Sequence, residues 1–190
     1  MMAAIALDHL SKSIQDDVGL AYIFCNYKSQ ADQGIYDLLS ALLKQLVQSR
    51  PNIAIPVTNL YEHHSKRKIR PSLNDIFECL LAVCAAYAKV YVVVDALDEC
   101  EEQNGTRSGL IERLRQLHTS ATVQLLFTSR FIPVIEEKFK PEPMLEIRAS
   151  KEDVKRFIAD QIPRLPACIK RDDELISEVQ IKIVEAVGSM

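Results

Sequence analysis

The chain has 190 residues, 48% hydrophobic and 26% charged, with a formal net charge of −3. That is a globular composition of roughly one domain's length and excludes an intrinsically disordered segment. The slightly negative charge gives no electrostatic case for nucleic-acid binding. No apolar run approaches the roughly eighteen residues of a membrane-crossing helix, and the N-terminus lacks the basic start of a signal peptide. The five cysteines, at 25, 79, 84, 100 and 168, form no C-x-x-C and no Cys/His cluster. That argues against a disulfide framework or a zinc site and for reduced thiols in a cytoplasmic protein.

In chain order, apolar residues at 2, 5, 7, 10 and 14 predict a helix from Met1 to about Gln15, with no capping residue before it. Gly19 to Cys25 reads as a buried strand, and Asn26 to Gly34 as a polar loop. Ile35 to Arg50 is a strongly amphipathic helix that Pro51 stops. Asn52 to Pro56 is a linker and Val57 to Ser65 a short helix. The basic run Lys66-Arg67-Lys68-Ile69-Arg70 reads as a solvated loop. Ser72 caps a helix to about Tyr87, with Asp75 completing a capping box. Val90 to Asp95 is a strand, Glu101 to Ser108 a polar loop, Leu110 to His118 a helix and Val123 to Thr128 another strand. Phe131 to Phe139 is a short helix, and Met144 to Arg148 is predicted as a fourth strand. Ser150 with Asp153 starts a helix to about Ile162, and Asp172-Asp173 starts the last one. Strands alternating with helices predict an α/β fold with a largely parallel sheet.

Chemistry concentrates at two strand ends. Tyr91-Val92-Val93-Val94 is a continuous apolar run, as in a strand buried on both faces, and it ends in Asp95-Ala96-Leu97-Asp98-Glu99-Cys100. Parallel α/β sheets bind ligands outside the carboxyl ends of their strands. There the segment has the form of a Walker B motif: Asp95 for a Mg²⁺ shell, held through water, and Asp98 or Glu99 to orient a water. An ordinary acidic loop after a strand is the competing reading. Thr128-Ser129-Arg130 ends the next apolar strand, where Arg130 suits a sensor of phosphate oxygens or is simply a surface arginine. No G-x-x-x-x-G-K-[ST] occurs, so the usual phosphate cradle is not in this sequence.

Other candidates carry less. His63 and His64 are adjacent, so on a helix they point about 100° apart and do not share a metal. Cys100 has no basic neighbour in sequence to activate it, and no G-x-S-x-G supports serine nucleophilic catalysis.

The segments Y-I-F-C-N-Y-K-S-Q, I-Y-D-L-L-S-A-L-L-K-Q-L, V-Y-V-V-V-D-A-L-D-E-C, L-L-F-T-S-R-F-I-P and M-L-E-I-R-A-S-K-E-D-V-K-R-F-I occur in this order. Together they resemble the NACHT-type NTPase domain of fungal STAND proteins, the nephrocystin-type N-terminal module often followed by ankyrin or other repeats. The resemblance implies a P-loop-NTPase-like three-layer fold with helices on both faces of a parallel sheet of order 5-1-4-3-2. It implies switching driven by Mg²⁺ with ATP or GTP, and oligomerisation in signalling. By position, Asp95 resembles the Mg²⁺-associated acid, Asp98 and Glu99 the water-orienting acids, and Arg130 the sensor.

The family's first strand and its G-x-x-G-x-G-K-T would precede Met1, and a winged-helix region would follow Met190. Residues 1–190 are therefore expected to be a partial NACHT domain lacking its Walker A strand, binding nucleotide weakly alone. Two alternatives stand beside this. One is a protein-interaction fragment that docks on full-length relatives or on itself, with no nucleic-acid or membrane partner. The other is a Mg²⁺-dependent phosphotransfer enzyme using Asp95, Asp98 and Glu99 directly, which would need a further carboxylate.

Overall fold

The structure is a computed structural model that describes residues 2–13, 17–148, 150–164 and 173–188. The chain divides into two compact units, 1–138 and 139–190, where its length predicts one.

In the first unit, β1 (Val18–Phe24), β2 (Lys89–Asp95) and β3 (Val123–Phe127) form an all-parallel sheet in the order β1-β2-β3. This is the order the resemblance implies for these three strands. Phe24 pairs with Asp95 and Val94 with Phe127, so the three strands end together on one edge of the unit. The helices are α1 (Met2–Ser13), α2 (Ile35–Gln48), α3 (Ile55–Ser65), α4 (Leu73–Ala85), α5 (Thr106–Ser120) and α6 (Pro133–Phe139).

The central strand explains the layering. Val92 and Val94 point to one face of β2 and Val93 to the other, and all three are buried. Only a strand covered on both sides shows that pattern, and helices flank both faces of this sheet. α2, α4 and α5 pack together beside β1 and β3, and α1 contacts β2 with its buried Ala3. Leu39, Leu42, Leu46, Leu80, Leu110 and Leu114 supply the apolar stripes of α2, α4 and α5. β1 is covered on one face only. Ala21 and Ile23 are buried, whereas Tyr22 and Phe24 are exposed and meet edge to face at 5.4 Å between ring centres.

Gly19 marks a close approach of β1 to α2. A Cβ built there would lie 2.9 Å from Leu46 Cδ2 and 3.3 Å from the Tyr87 ring. Tyr87 is pinned in place by its hydroxyl, which donates to Leu46 O at 2.5 Å.

The outer edge of β1 is closed by side-chain amides. Gln45 on α2 accepts from the Tyr22 amide at 3.0 Å and donates to the Tyr22 carbonyl at 2.9 Å. Gln33 does the same one step on, donating to Phe24 O and accepting from the Asn26 amide, each at 3.0 Å. Each carboxamide thus takes the place of a neighbouring strand's peptide group, which shields an edge that would otherwise invite pairing with another chain.

Local signals placed several boundaries. Ser72 and Asp75 form the expected capping box at α4. Asn26–Gly34 is not a plain loop: residues 27–32 make a 3₁₀ turn. α3 begins at Ile55 and takes Pro56 into its first turn, where the missing N–H of proline is tolerated. α5 begins at Thr106 after Gly105, whose φ of +75° suits glycine, so the predicted loop is shorter than expected. The basic run 66–70 is exposed throughout, as expected of a solvated loop, with Arg70 lying 4.0 Å over the Tyr36 ring and 3.5 Å from Asp37.

The second unit contains α7 (Lys151–Gln161) and α8 (Asp173–Gly188), which contact each other. α7 starts with the expected Ser150–Asp153 capping box. The predicted strand Met144–Arg148 is not a strand: residues 143–148 are irregular, and Met144, Leu145 and Ile147 are exposed. A strand exists only through its ladder with a neighbour, and here no second strand is present among the described residues of this unit. The sheet therefore has three described strands, not four. Ile14, Gln15, Cys168 and Asp172, which figure in the sequence reading, lie outside the described residues.

Candidate functional site at the carboxyl ends of the strands

β2 delivers Asp95 to the strand end, and the chain turns sharply there. Ala96 adopts φ 53° and ψ 49°, a left-handed conformation unusual for a residue with a Cβ, and a single 3₁₀ turn over Leu97–Glu99 follows. Leu97 is buried and anchors the turn. Asp95, Asp98 and Glu99 thereby point to three different sets of partners.

Asp95 is oriented by the end of β3. The Thr128 hydroxyl donates to Asp95 Oδ1 at 2.5 Å and accepts from the Ala96 amide at 3.0 Å. The Leu97 amide donates to Thr128 O at 2.8 Å, so the turn is tied to β3 through main chain as well.

Asp98 turns inward. Its side chain is only 2% exposed and lies 2.5 Å from Nε of Arg130, a residue that is itself 76% exposed. The Arg130 amide also donates to Asp98 Oδ1, at 3.0 Å. Burial pushes the Asp98 carboxyl up, but the Arg130 guanidinium and amide outweigh it and hold the group below the ordinary carboxylate value. Asp98 in turn keeps the Arg130 guanidinium firmly charged.

Glu99 faces the end of β1. Its Oε2 accepts from the Tyr27 amide at 3.2 Å, and its carbonyl accepts from Gln30 Nε2 at 2.9 Å. The 3₁₀ turn at 27–32 thus lies against the acidic turn.

All four sequence candidates, Asp95, Asp98, Glu99 and Arg130, therefore sit at one edge of one sheet, but they do not converge on a single point. Among the described residues no group of three His, Cys, Asp or Glu side chains is arranged to hold a metal ion.

Three participants were not legible beforehand. Thr128 reads in sequence only as part of a polar strand end, whereas in space it is the donor that orients Asp95. Tyr27 and Gln30 come from a segment that reads as polar loop. Cys100 does have a basic neighbour: Arg107 approaches across the Gly105 turn, and the Cys25 thiol is also close enough to favour the Cys100 thiolate. The sequence expectation of no activating group at Cys100 is corrected by that turn, which folds residues 101–107 back on themselves, with the Arg107 amide donating to Glu101 O. His64 plays a packing role, its Nε2 lying 3.4 Å from the Asp75 carboxylate at the start of α4. Among the described residues no helix is long and apolar enough to cross a membrane.

A family model described as Nephrocystin 3, N-terminal, matches residues 1–130, a span that holds all three strands, the acidic turn and Arg130. Comparison with curated proteins and with solved structures gives no significant match.

Proposed function

The chain belongs to the nephrocystin 3 N-terminal family, and on that premise we propose that it carries the acid and sensor strands of a NACHT-type nucleoside-triphosphatase module, of the kind found in fungal STAND proteins. It would work as a signalling switch with protein partners. The observation that carries this reading is the cross-linking of two adjacent strand ends. Thr128 orients Asp95, and Arg130 is clamped to Asp98, at the edge where parallel sheets bind their ligands.

Asp95 is one carboxylate with Thr128 on one oxygen, and no trio of ligating side chains surrounds it among the described residues. That donor set fits a magnesium ion that keeps its own water shell. Bound there with a nucleotide, magnesium would supply neutralisation of phosphate charge. The chain's own groups divide the remaining work. Asp95 would accept hydrogen bonds from that water shell, Glu99 would orient an attacking water, and Asp98 sets the position of Arg130. Exposed Arg130 reports the presence of phosphate.

The sequence contains no G-x-x-x-x-G-K-[ST], so the amide nest and lysine that normally grip a triphosphate are not among these residues. Weak nucleotide binding by this chain alone follows. Titration of Mg·ATP and Mg·GTP, followed through backbone amide resonances, is expected to show weak, magnesium-dependent shifts at residues 95–99 and 128–130. Asp95→Asn should abolish them. Micromolar affinity, or shifts confined to other regions, would overturn the reading.

A second reading, a fragment that docks on full-length relatives, is favoured by the aromatic pair Tyr22 and Phe24, 42% and 47% exposed on a sheet face. A Tyr22→Ser, Phe24→Ser double variant that stays folded but no longer co-purifies with an intact relative would support it. A metal-dependent phosphotransfer enzyme acting alone is not favoured, because no further carboxylate joins Asp95, Asp98 and Glu99 among the described residues.

A further inference from the structure

Cys25 lies one residue beyond β1, and Cys100 one residue beyond the acidic 3₁₀ turn. Three hydrogen bonds bracket them. The Cys25 amide donates to Asp95 O at 3.0 Å, the Tyr27 amide to Glu99 Oε2 at 3.2 Å, and Gln30 Nε2 to Glu99 O at 2.9 Å. The chain after Cys25 is thus fastened to the chain before Cys100. Between these ties the two buried side chains lie near enough for each thiol to shift the other's acidity. Both are free, and both are buried. The other described cysteines supply an internal contrast. Cys79 and Cys84 stand five positions apart on α4, on the order of 8 Å between Cα atoms and on different faces, too far for a disulfide without breaking the helix.

We propose that Cys25 and Cys100 form a dithiol–disulfide pair that low-molecular-weight disulfides oxidise in the folded chain, locking the end of β1 to the acidic turn. This inference does not depend on the nucleotide reading. Cys100 is the attacking thiol. The neighbouring Cys25 thiol and the Arg107 guanidinium favour its thiolate against the opposing effect of burial, and hold it below the usual thiol value.

The Cys100 thiolate attacks one sulfur of the small disulfide, forms a mixed disulfide and expels one small thiolate. The Cys25 sulfur, giving its proton to solvent, then attacks the Cys100 sulfur and expels the second. Two protein thiols lose two electrons and two protons, and one small disulfide becomes two thiols. The bridge joins residues 75 apart in sequence, a count taken as 100 − 25. It therefore restricts the unfolded chain strongly and should raise stability if the native geometry accepts it.

The test exposes the folded, reduced chain to glutathione disulfide at neutral pH, alkylates the remaining thiols and maps the peptides by mass spectrometry. The expected result is a Cys25–Cys100 peptide lacking the mass of two hydrogen atoms, with Cys79 and Cys84 alkylated. Dithiothreitol should reverse it. Cys25→Ala should stop at a mixed disulfide on Cys100, and the oxidised chain should show a higher urea midpoint than the reduced one. The proposal is overturned if the bridge forms only after denaturation, if glutathione adducts accumulate on both cysteines of the folded chain without a bridge, or if oxidation lowers the urea midpoint.

Discussion

Arg130 is bound to Asp98 at two points: its Nε lies 2.5 Å from Oδ2, and its own amide donates to Oδ1 at 3.0 Å. One residue thus satisfies both oxygens of a carboxylate that is 2% exposed. The pair fixes where the chain leaves β3, and so fixes the direction in which the rest of the guanidinium faces solvent.

Replacing Asp98 by Asn keeps the shape and removes the charge. At neutral pH this should cost about 1.5–3 kcal/mol, the range for hydrogen bonds to charged groups. The pH dependence follows from the depressed Asp98 value. A carboxyl held lower in the folded than in the unfolded state contributes fully above its unfolded value, about 4, and loses that contribution as pH falls through the folded value. The gap between wild type and Asp98→Asn, measured by urea unfolding, should therefore narrow below about pH 4. An equal gap at neutral and strongly acidic pH would reject the ion pair as its source.

Thr128 makes a second link between the same strand ends. Thr128→Val removes the donor to Asp95 and the acceptor for the Ala96 amide together. A loss of about 1–2 kcal/mol is expected, because the stranded amide and carboxylate are partly buried. Thr128→Ser keeps the hydroxyl and should recover most of it. A Thr128→Val chain as stable as wild type in chemical denaturation would show that the two hydroxyl bonds are not what holds these strand ends together.

On the opposite side of the sheet, Gln45 closes the β1 edge. Gln45→Leu deletes both of its bonds to Tyr22 and leaves that peptide group facing outward beside the exposed Tyr22 and Phe24 rings. About 1–2 kcal/mol of stability should be lost. Light scattering should also show faster aggregation, since an uncovered edge next to apolar side chains templates strand pairing. Aggregation unchanged from wild type would mean that the amide is not what protects this edge.

Gly19→Ala tests the packing of β1 on α2. The added methyl would meet Leu46 Cδ2 at 2.9 Å, and Leu46 is fully buried. Overpacking of this kind costs typically about 1–3 kcal/mol. The thermal midpoint should fall accordingly. An unchanged midpoint would show that α2 can shift outward without loss.

Much of this architecture is legible in the sequence because it is local. The apolar run Tyr91–Val94 announces a doubly covered strand, and Ser72–Asp75 and Ser150–Asp153 announce their helices through bonds spanning three residues. The amphipathic stripe of α2 is equally plain. The placement of Asp95 and Arg130 at strand ends follows from the same local signals. Met144–Arg148 fails as a strand because a strand depends on a ladder with a partner, and alternation along one segment does not say whether a partner is present.

Tertiary structure alone decided the pairings. Asp98 with Arg130, Thr128 with Asp95, Gln45 with Tyr22 and Cys25 with Cys100 are separated by between 23 and 75 positions in sequence, the last being 100 − 25. Gln45 with Tyr22 depends on how α2 lies along β1, and the other three on the register in which the parallel strands lie side by side. Residue chemistry and short-range periodicity determined which groups reach the carboxyl edge of the sheet. Which of them neutralise, orient or shield one another was settled only when distant strand ends were brought to the same level, because hydrogen bonds and ion pairs act over a few ångströms of space and carry no mark in the order of the chain.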